Sequence, residues 1–158
     1  MTDRLAGIAA QVADLLDRAE PEDHATPEQR HVCREAVAAV RAGGANLLDT
    51  ATPYLWEYYR DLADAVGEDE LGMTPLRDGD DIWEHVELPR VPTLVLGGDE
   101  RAPSPCYVNF EGEVRWEPEH GLQLVFDHTG RLARVGPYTG HVTVARVRGS
   151  ADLDTIYG

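Results

Sequence analysis

The sequence predicts an α+β fold, in which N-terminal helices pack on a C-terminal antiparallel β-meander. Two observations carry this prediction. Apolar residues recur every three or four positions before residue 67, and they fall in short, β-rich runs with period two after residue 82. The first spacing is typical of one helix face and the second of one strand face. A length of 158 residues fits a single domain over 1–158, with a helical part over 1–67 and an antiparallel β part over 82–147.

Three amphipathic helices are predicted in the first part. The second has the clearest start, because Thr26, Pro27 and Gln29 carry the signature of a capping box with proline in the first turn. Gly43-Gly44 is expected to end that helix, since glycine is the common residue after a helix C-terminus. The first helix is expected to follow Thr2, and the third to run from Thr52-Pro53 to Gly67.

Short strands are predicted in the second part, separated by turn residues. Glu111-Gly112 and Thr129-Gly130 are expected to form tight hairpin turns. In the predicted strand 122–126, Leu122, Leu124 and Phe126 are expected to point to one side, and Gln123, Val125 and Asp127 to the other. The predicted β runs are 83–88, 93–97, 106–111, 113–117, 122–126, 132–135 and 141–147.

Charge is the strongest compositional feature of the chain. It carries 29 acidic residues and 14 basic ones, all arginine, for a formal net charge of −15. Residues 1–105 hold 22 of the acids against 9 arginines. Such a balance disfavours nucleic acid and anionic membranes as partners and is compatible with a basic protein partner.

The chain has the composition expected of a cytoplasmic protein. It shows neither a secretory signal pattern nor an apolar run long enough to span a membrane. Cys33 and Cys106 are its only cysteines, and we expect them to be unbridged in a reducing compartment. The sequence leaves the oligomeric state open.

Motifs of catalysis are weak in this sequence. Ser104 lies between two prolines, which is incompatible with a nucleophile elbow, and a chain without lysine cannot form a P-loop. No cofactor is therefore expected. One enzyme-like alternative remains open, a metal- or acid/base-dependent hydrolase. Its catalytic residues would be Glu119, His120 and His141, and its metal ligands His120, His128 and His141.

A partner-binding surface is the other candidate site. Acidic residues crowd the segments around 68–81 and 99–100, and tyrosine is enriched at protein interfaces. The candidate contacts are Tyr54, Tyr58, Glu68, Asp69, Glu70, Asp78, Asp80, Asp81, Asp99 and Glu100.

The stretch from Trp116 to Phe126 reads W-E-P-E-H-G-L-Q-L-V-F and is followed by V-G and G-H pairs. Together with 54–59, this pattern resembles a family of small, largely uncharacterised bacterial proteins. The resemblance implies immunity-protein-like relatives in polymorphic-toxin systems. The positions of this chain that match the family pattern are Trp116, Glu119, His120, Gly121, Gly136, Gly140 and His141.

The leading functional hypothesis combines the charge with the resemblance. We expect a non-enzymatic, cytoplasmic interaction protein, most specifically an immunity-type inhibitor of a basic, nuclease-like toxin domain. The hydrolase is the first alternative, and an acidic housekeeping domain without a dedicated partner is the second.

Overall fold

Three helices pack on one face of an antiparallel sheet in the computed structural model, which describes residues 2–158. This arrangement confirms the predicted α+β class. The elements, in chain order, are α1 (Asp3–Leu16), α2 (Pro27–Asp49), α3 (Thr52–Val66), β1 (Val86–Glu87), β2 (Thr93–Leu96), β3 (Cys106–Val114), β4 (Leu122–Phe126), β5 (Leu132–Gly136) and α4 (Val144–Arg148). Short 3-10 turns at Glu68–Leu71 and Ile82–His85 connect α3 to β1.

The capping box at the start of α2 is formed as predicted. The Gln29 amide donates to the Thr26 hydroxyl, and the Thr26 amide donates to Gln29 Oε1 at 2.8 Å. The prediction that Gly43-Gly44 ends a helix is also confirmed. Gly44 is non-helical, with φ +53°, so the range Pro27–Asp49 contains two helical segments joined by a bend, and the second segment runs to Asp49. The bend relies on glycine because its φ lies in the left-handed region.

Strand β3 is the central element of the sheet. One of its edges pairs with β4, which pairs with β5, and its other edge pairs with β2 near its start and with β1 near its end. Beyond β5, Val135 bridges Tyr157 of the C-terminal tail in parallel. The Val135 amide donates to the Ile156 carbonyl, and the Gly158 amide donates to the Val135 carbonyl.

Three predicted β features differ from the structure. The run 83–88 begins within the 3-10 turn Ile82–His85, and only Val86–Glu87 of it is a strand. Glu111-Gly112 is no turn; it lies inside β3, which merges the runs 106–111 and 113–117. A Cβ at Gly112 would lie 2.5 Å from the Glu87 carbonyl oxygen. The glycine therefore allows β1 to lie close to β3, and it does not form a turn. The run 141–147 contains α4 rather than a strand, because the Thr143 hydroxyl accepts from the Arg146 amide and caps a short helix.

The alternation in β4 separates the two faces of the sheet as predicted. Leu122, Leu124 and Phe126 are buried in the core shared with the helices. Val125 faces the opposite side, where it packs in a second cluster that includes Val142. The turn at Gly130 is also formed, with φ +85°. No helix within residues 2–158 is sufficiently long and apolar to cross a bilayer.

Candidate functional site

Three adjoining depressions form one groove along β1, the end of β3 and the turns beside them. Their cavity volumes are about 390, 260 and 260 Å³. The first and third share Glu84 and His85, and the first and second share Glu113 and Pro118. We call this surface the acidic groove, because seven carboxylates and two arginines line it: Asp80, Asp81, Glu84, Glu87, Glu111, Glu113, Glu119, Arg90 and Arg115.

The centre of the groove holds two glutamates on neighbouring strands. Glu87 of β1 lies directly opposite Glu113 of β3 in the antiparallel register, and both side chains are exposed. Like charges in directly opposed positions destabilise a sheet. Arg90 offsets part of this repulsion through an exposed ion pair with Glu113, at 3.3 Å between Nη2 and Oε1. A surface ion pair contributes little to the free energy of folding. One arginine beside two glutamates also leaves an excess of negative charge at this position.

Two histidines, His85 and His120, line the groove, and His85 is the more buried of the two. Burial, followed by the charge of Arg115, lowers the pKa of His85 below its usual value. Its Nδ1 is buried and has no hydrogen-bond partner within residues 2–158. The imidazole is therefore neutral near pH 7 and adds no positive charge to the groove.

Tyr138 supplies an exposed aromatic ring at one end of the groove. Its side chain is 46% exposed, and it lines the same depression as Glu111 and Glu119. A hydrogen bond to the Glu111 carboxylate raises the pKa of Tyr138. An amphipathic ring beside carboxylates is a common anchor at interfaces. No sequence pattern marks Tyr138 as a site residue, although it lies two residues before the Gly140-His141 pair.

The structure corrects the prediction that Tyr58 reaches a partner surface. Tyr58 is 3% exposed, and its hydroxyl donates to the Gly121 carbonyl at 2.8 Å. Its ring meets Trp116 edge-on, with 5.6 Å between the ring centroids. Tyr54 is half-buried and packs against the main core. Tyr58 therefore joins α3 to the end of the sheet instead of facing a partner.

The acidic candidates divide into those that line the groove and those that do not. Asp80 and Asp81 line it, and both also accept backbone amides, from Arg77 and Trp83 respectively. Asp78 belongs to the same exposed loop without lining the groove. The remaining candidates lie elsewhere on the surface: Glu68, paired with Arg77; Asp69 and Glu70 on the first 3-10 turn; Asp99, paired with Arg146; and exposed Glu100.

The three histidines predicted as metal ligands do not converge. His128 Nδ1 lies 2.8 Å from the Ser104 hydroxyl at the β4–β5 turn, and His141 lies on a separate loop. Within residues 2–158, the group that meets the geometry of a metal site is Glu117, Glu119 and His120, with one ligand atom from each lying within 4.8 Å of the others. The structure therefore corrects the ligand set His120, His128 and His141, and likewise the catalytic set that joined His141 to Glu119 and His120.

The other residues carried by the resemblance have structural roles. Trp116 is buried in the core. Gly121 adopts φ +61°, and a Cβ at this position would lie 2.7 Å from the Gly112 carbonyl oxygen. A Cβ at Gly136 would lie 2.6 Å from the Gly158 oxygen, and Gly140 adopts φ +86°.

A buried polar network, which no local sequence pattern indicates, lies on the sheet face opposite the helices. Asn109, Gln123 and Arg134 come from three adjacent strands, and Gln123 Nε2 donates to Asn109 Oδ1 at 2.9 Å. Arg134 donates to the carbonyl oxygens of Pro137, His141 and Gly158. The network fixes the segment from 137 to 141 that carries Tyr138.

The chain is thus an α+β domain with an acidic groove across one edge of its sheet. It belongs to the family described as Domain of unknown function (DUF6985), whose model matches residues 10–142. No curated protein and no solved structure matches the chain.

Proposed function

We propose that this protein is an acidic interaction protein that binds a basic protein domain in the acidic groove. The observation that carries the proposal is the opposition of Glu87 and Glu113 in the sheet register. The repulsion between the two carboxylates lowers the stability of the free protein. Cationic side chains of a partner that approach both carboxylates relieve this repulsion and favour binding.

The charge of the whole molecule supports the same partner chemistry. A net charge of −15 attracts a basic partner over a distance set by the ionic strength, and a concave acidic surface concentrates that attraction. Tyr138 offers a half-exposed ring beside the carboxylates, which suits an apolar contact at the rim of an interface. The groove has the charge and shape for arginine- and lysine-bearing segments.

Within this class, we propose an immunity-type inhibitor of a nuclease-like toxin domain. A nuclease binds phosphates with arginine and lysine, so an acidic protein that occupies this cleft blocks the substrate. Complexes of nuclease domains with immunity proteins are among the tightest known, and tight binding is needed to keep a toxic nuclease inactive. The support here is the charge of the groove and the resemblance of the Trp116–Phe126 stretch.

The test measures binding of this protein to the product of the adjacent gene by surface-binding kinetics, and inhibition of the nuclease activity that the proposal expects of that product. The groove variant carries Glu84→Gln, Glu87→Gln and Glu113→Gln. The matched control carries Glu20→Gln, Glu22→Gln and Glu28→Gln, three exposed glutamates between α1 and the first turn of α2. Both variants lose the same charge.

We expect the groove variant to associate at least several-fold more slowly than the control at low salt and to inhibit less. Equal rates for the two variants would show that net charge, rather than the groove, governs binding. Failure of the unmodified protein to bind the domain would overturn the proposal.

A second candidate function is binding of a divalent cation at the turn that holds Glu117, Glu119 and His120. The proximity of their ligand atoms is the observation that favours it, since carboxylate and imidazole are suitable ligands for zinc. Calorimetric titration with Zn²⁺ is expected to give one site in the unmodified protein and none in His120→Gln. Equal titration of His141→Gln and His120→Gln would contradict it.

A further inference from the structure

The two cysteines of the chain meet between the helices and the sheet. Cys33 lies on the buried face of α2, and Cys106 is the first residue of β3. Both are free thiols and both are 0% exposed. Their Sγ atoms are 3.0 Å apart, although 73 positions separate the residues in sequence.

We propose that Cys33 and Cys106 are a disulfide-forming site, oxidised by a small-molecule disulfide such as oxidised glutathione, that joins α2 covalently to β3. A disulfide bond is about 2.04 Å long, so the two sulfur atoms need to approach by only roughly 1 Å. This proposal is independent of the groove and of its partner.

The reaction is two thiol–disulfide exchanges. One protein thiolate attacks the small disulfide, which gives a mixed disulfide and releases one small thiol. The second protein thiolate then attacks the protein sulfur of that mixed disulfide and releases the second small thiol. The protein loses two electrons and two protons overall, and the small disulfide gains them.

The surroundings of the pair determine when this reaction occurs. Burial, together with the hydrogen bond to Cys33, raises the pKa of the Cys106 thiol, so the reactive thiolate is scarce in the folded protein. Neither sulfur is accessible to solvent. Oxidation therefore proceeds while the chain folds or when α2 separates from β3, and the folded, reduced protein reacts slowly.

The link would stabilise the protein mainly by restricting its unfolded state. It closes a loop of more than seventy residues, and long loops lose the most entropy when closed. We expect the linked protein to melt about 5–15 °C above the reduced protein, the shift that a typical disulfide produces in a domain of this size.

The experiment refolds the full chain from denaturant in a glutathione buffer in which the oxidised form predominates. Unfolding gives the reagent access to both cysteines. After free thiols are blocked, digestion with trypsin yields His31–Arg34 and Ala102–Arg115, because arginines precede and end both segments. A linked site gives one species that is two hydrogen atoms lighter than the sum of the two peptides.

The matched control is Cys33→Ala, which cannot form the link and is expected to show the same melting temperature with and without oxidant. If that variant does not fold, the peptide analysis of the unmodified protein decides alone. Two blocked, unlinked cysteines after oxidative refolding, or links only between separate chains, would overturn the proposal.

Discussion

Arg134 Nη1 donates to Gln123 Oε1 across 2.6 Å, and both residues are 0% exposed. The guanidinium also donates to the main-chain oxygens of Pro137, His141 and Gly158. Burial lowers the pKa of Arg134 to about 10. The sheet thus holds a charged group inside a polar cage, and the loop before His141 depends on that cage for its position.

Replacement of this guanidinium is therefore expected to destabilise the protein strongly. Arg134→Met leaves the buried oxygens of Pro137 and Gly158 without the donor that they have in the unmodified protein. We expect a loss of about 3–5 kcal/mol in the free energy of unfolding. Urea denaturation measures this. Arg131→Met, at the exposed β4–β5 turn, is the control and should change the free energy by less than about 0.5 kcal/mol. Similar losses in both variants would contradict the role of the cage.

Removal of one groove glutamate is expected to stabilise the free protein. Glu87→Gln ends the opposition with Glu113 and leaves the Arg90–Glu113 ion pair intact. The free energy of unfolding should rise by about 0.2–1 kcal/mol in chemical denaturation. Glu100→Gln, on the β2–β3 hairpin, removes the same charge from outside the groove and is the control. A decrease for Glu87→Gln would show that its carboxylate stabilises the fold.

The loop before the second 3-10 turn offers a separate test of charge steering. Asp78→Asn, Asp80→Asn and Asp81→Asn together remove three charges, and asparagine keeps the oxygen that accepts the Arg77 and Trp83 amides. Association with the basic domain should slow several-fold at low salt. The difference should vanish near 1 M salt, where the Debye length is about 3 Å. Rates measured at both salt concentrations check this, and an unchanged rate at low salt would exclude the loop.

Stability at alkaline pH should depend on Tyr58. Burial raises the pKa of its phenol above the unfolded value of 10.0. The unfolded state therefore releases this proton first, so the contribution of Tyr58 is complete below pH 10 and is lost as pH rises above it. Thermal melts are expected to show that Tyr58→Phe loses less stability than the unmodified protein from pH 9 upward. Equal slopes of stability against pH for Tyr58→Phe and the unmodified protein would contradict this role of Tyr58.

Structural features that depend on residues close together in sequence could be predicted from the sequence. Thr26 and Gln29 cap α2 because a capping box needs only residues close in sequence, and the alternation in β4 sets its buried face. Gly112 shows the limit of this reasoning. Glycine permits a turn, but it also permits a neighbouring strand to approach, and only the packing of β1 decides between the two.

The candidate site was less predictable for the same physical reason. Composition indicated an acidic surface, yet the opposition of Glu87 and Glu113 depends on the register of two strands far apart in sequence. Tyr58 was expected at a surface because a helical tyrosine has no sequence signal that separates an interface from a core. The contact of Cys33 with Cys106 likewise exists only after the helices dock on the sheet.

The parallel bridge between Val135 and Tyr157 has a consequence for association between copies of the protein. An uncovered strand edge is a template on which a foreign strand can add, and this is a common first step in aggregation. Here the tail occupies both the amide and the carbonyl of Val135. On the opposite side of the sheet, prolines at 89 and 92 interrupt the path between β1 and β2. The tail and the prolines thus each interrupt part of a sheet margin on which a foreign strand could add.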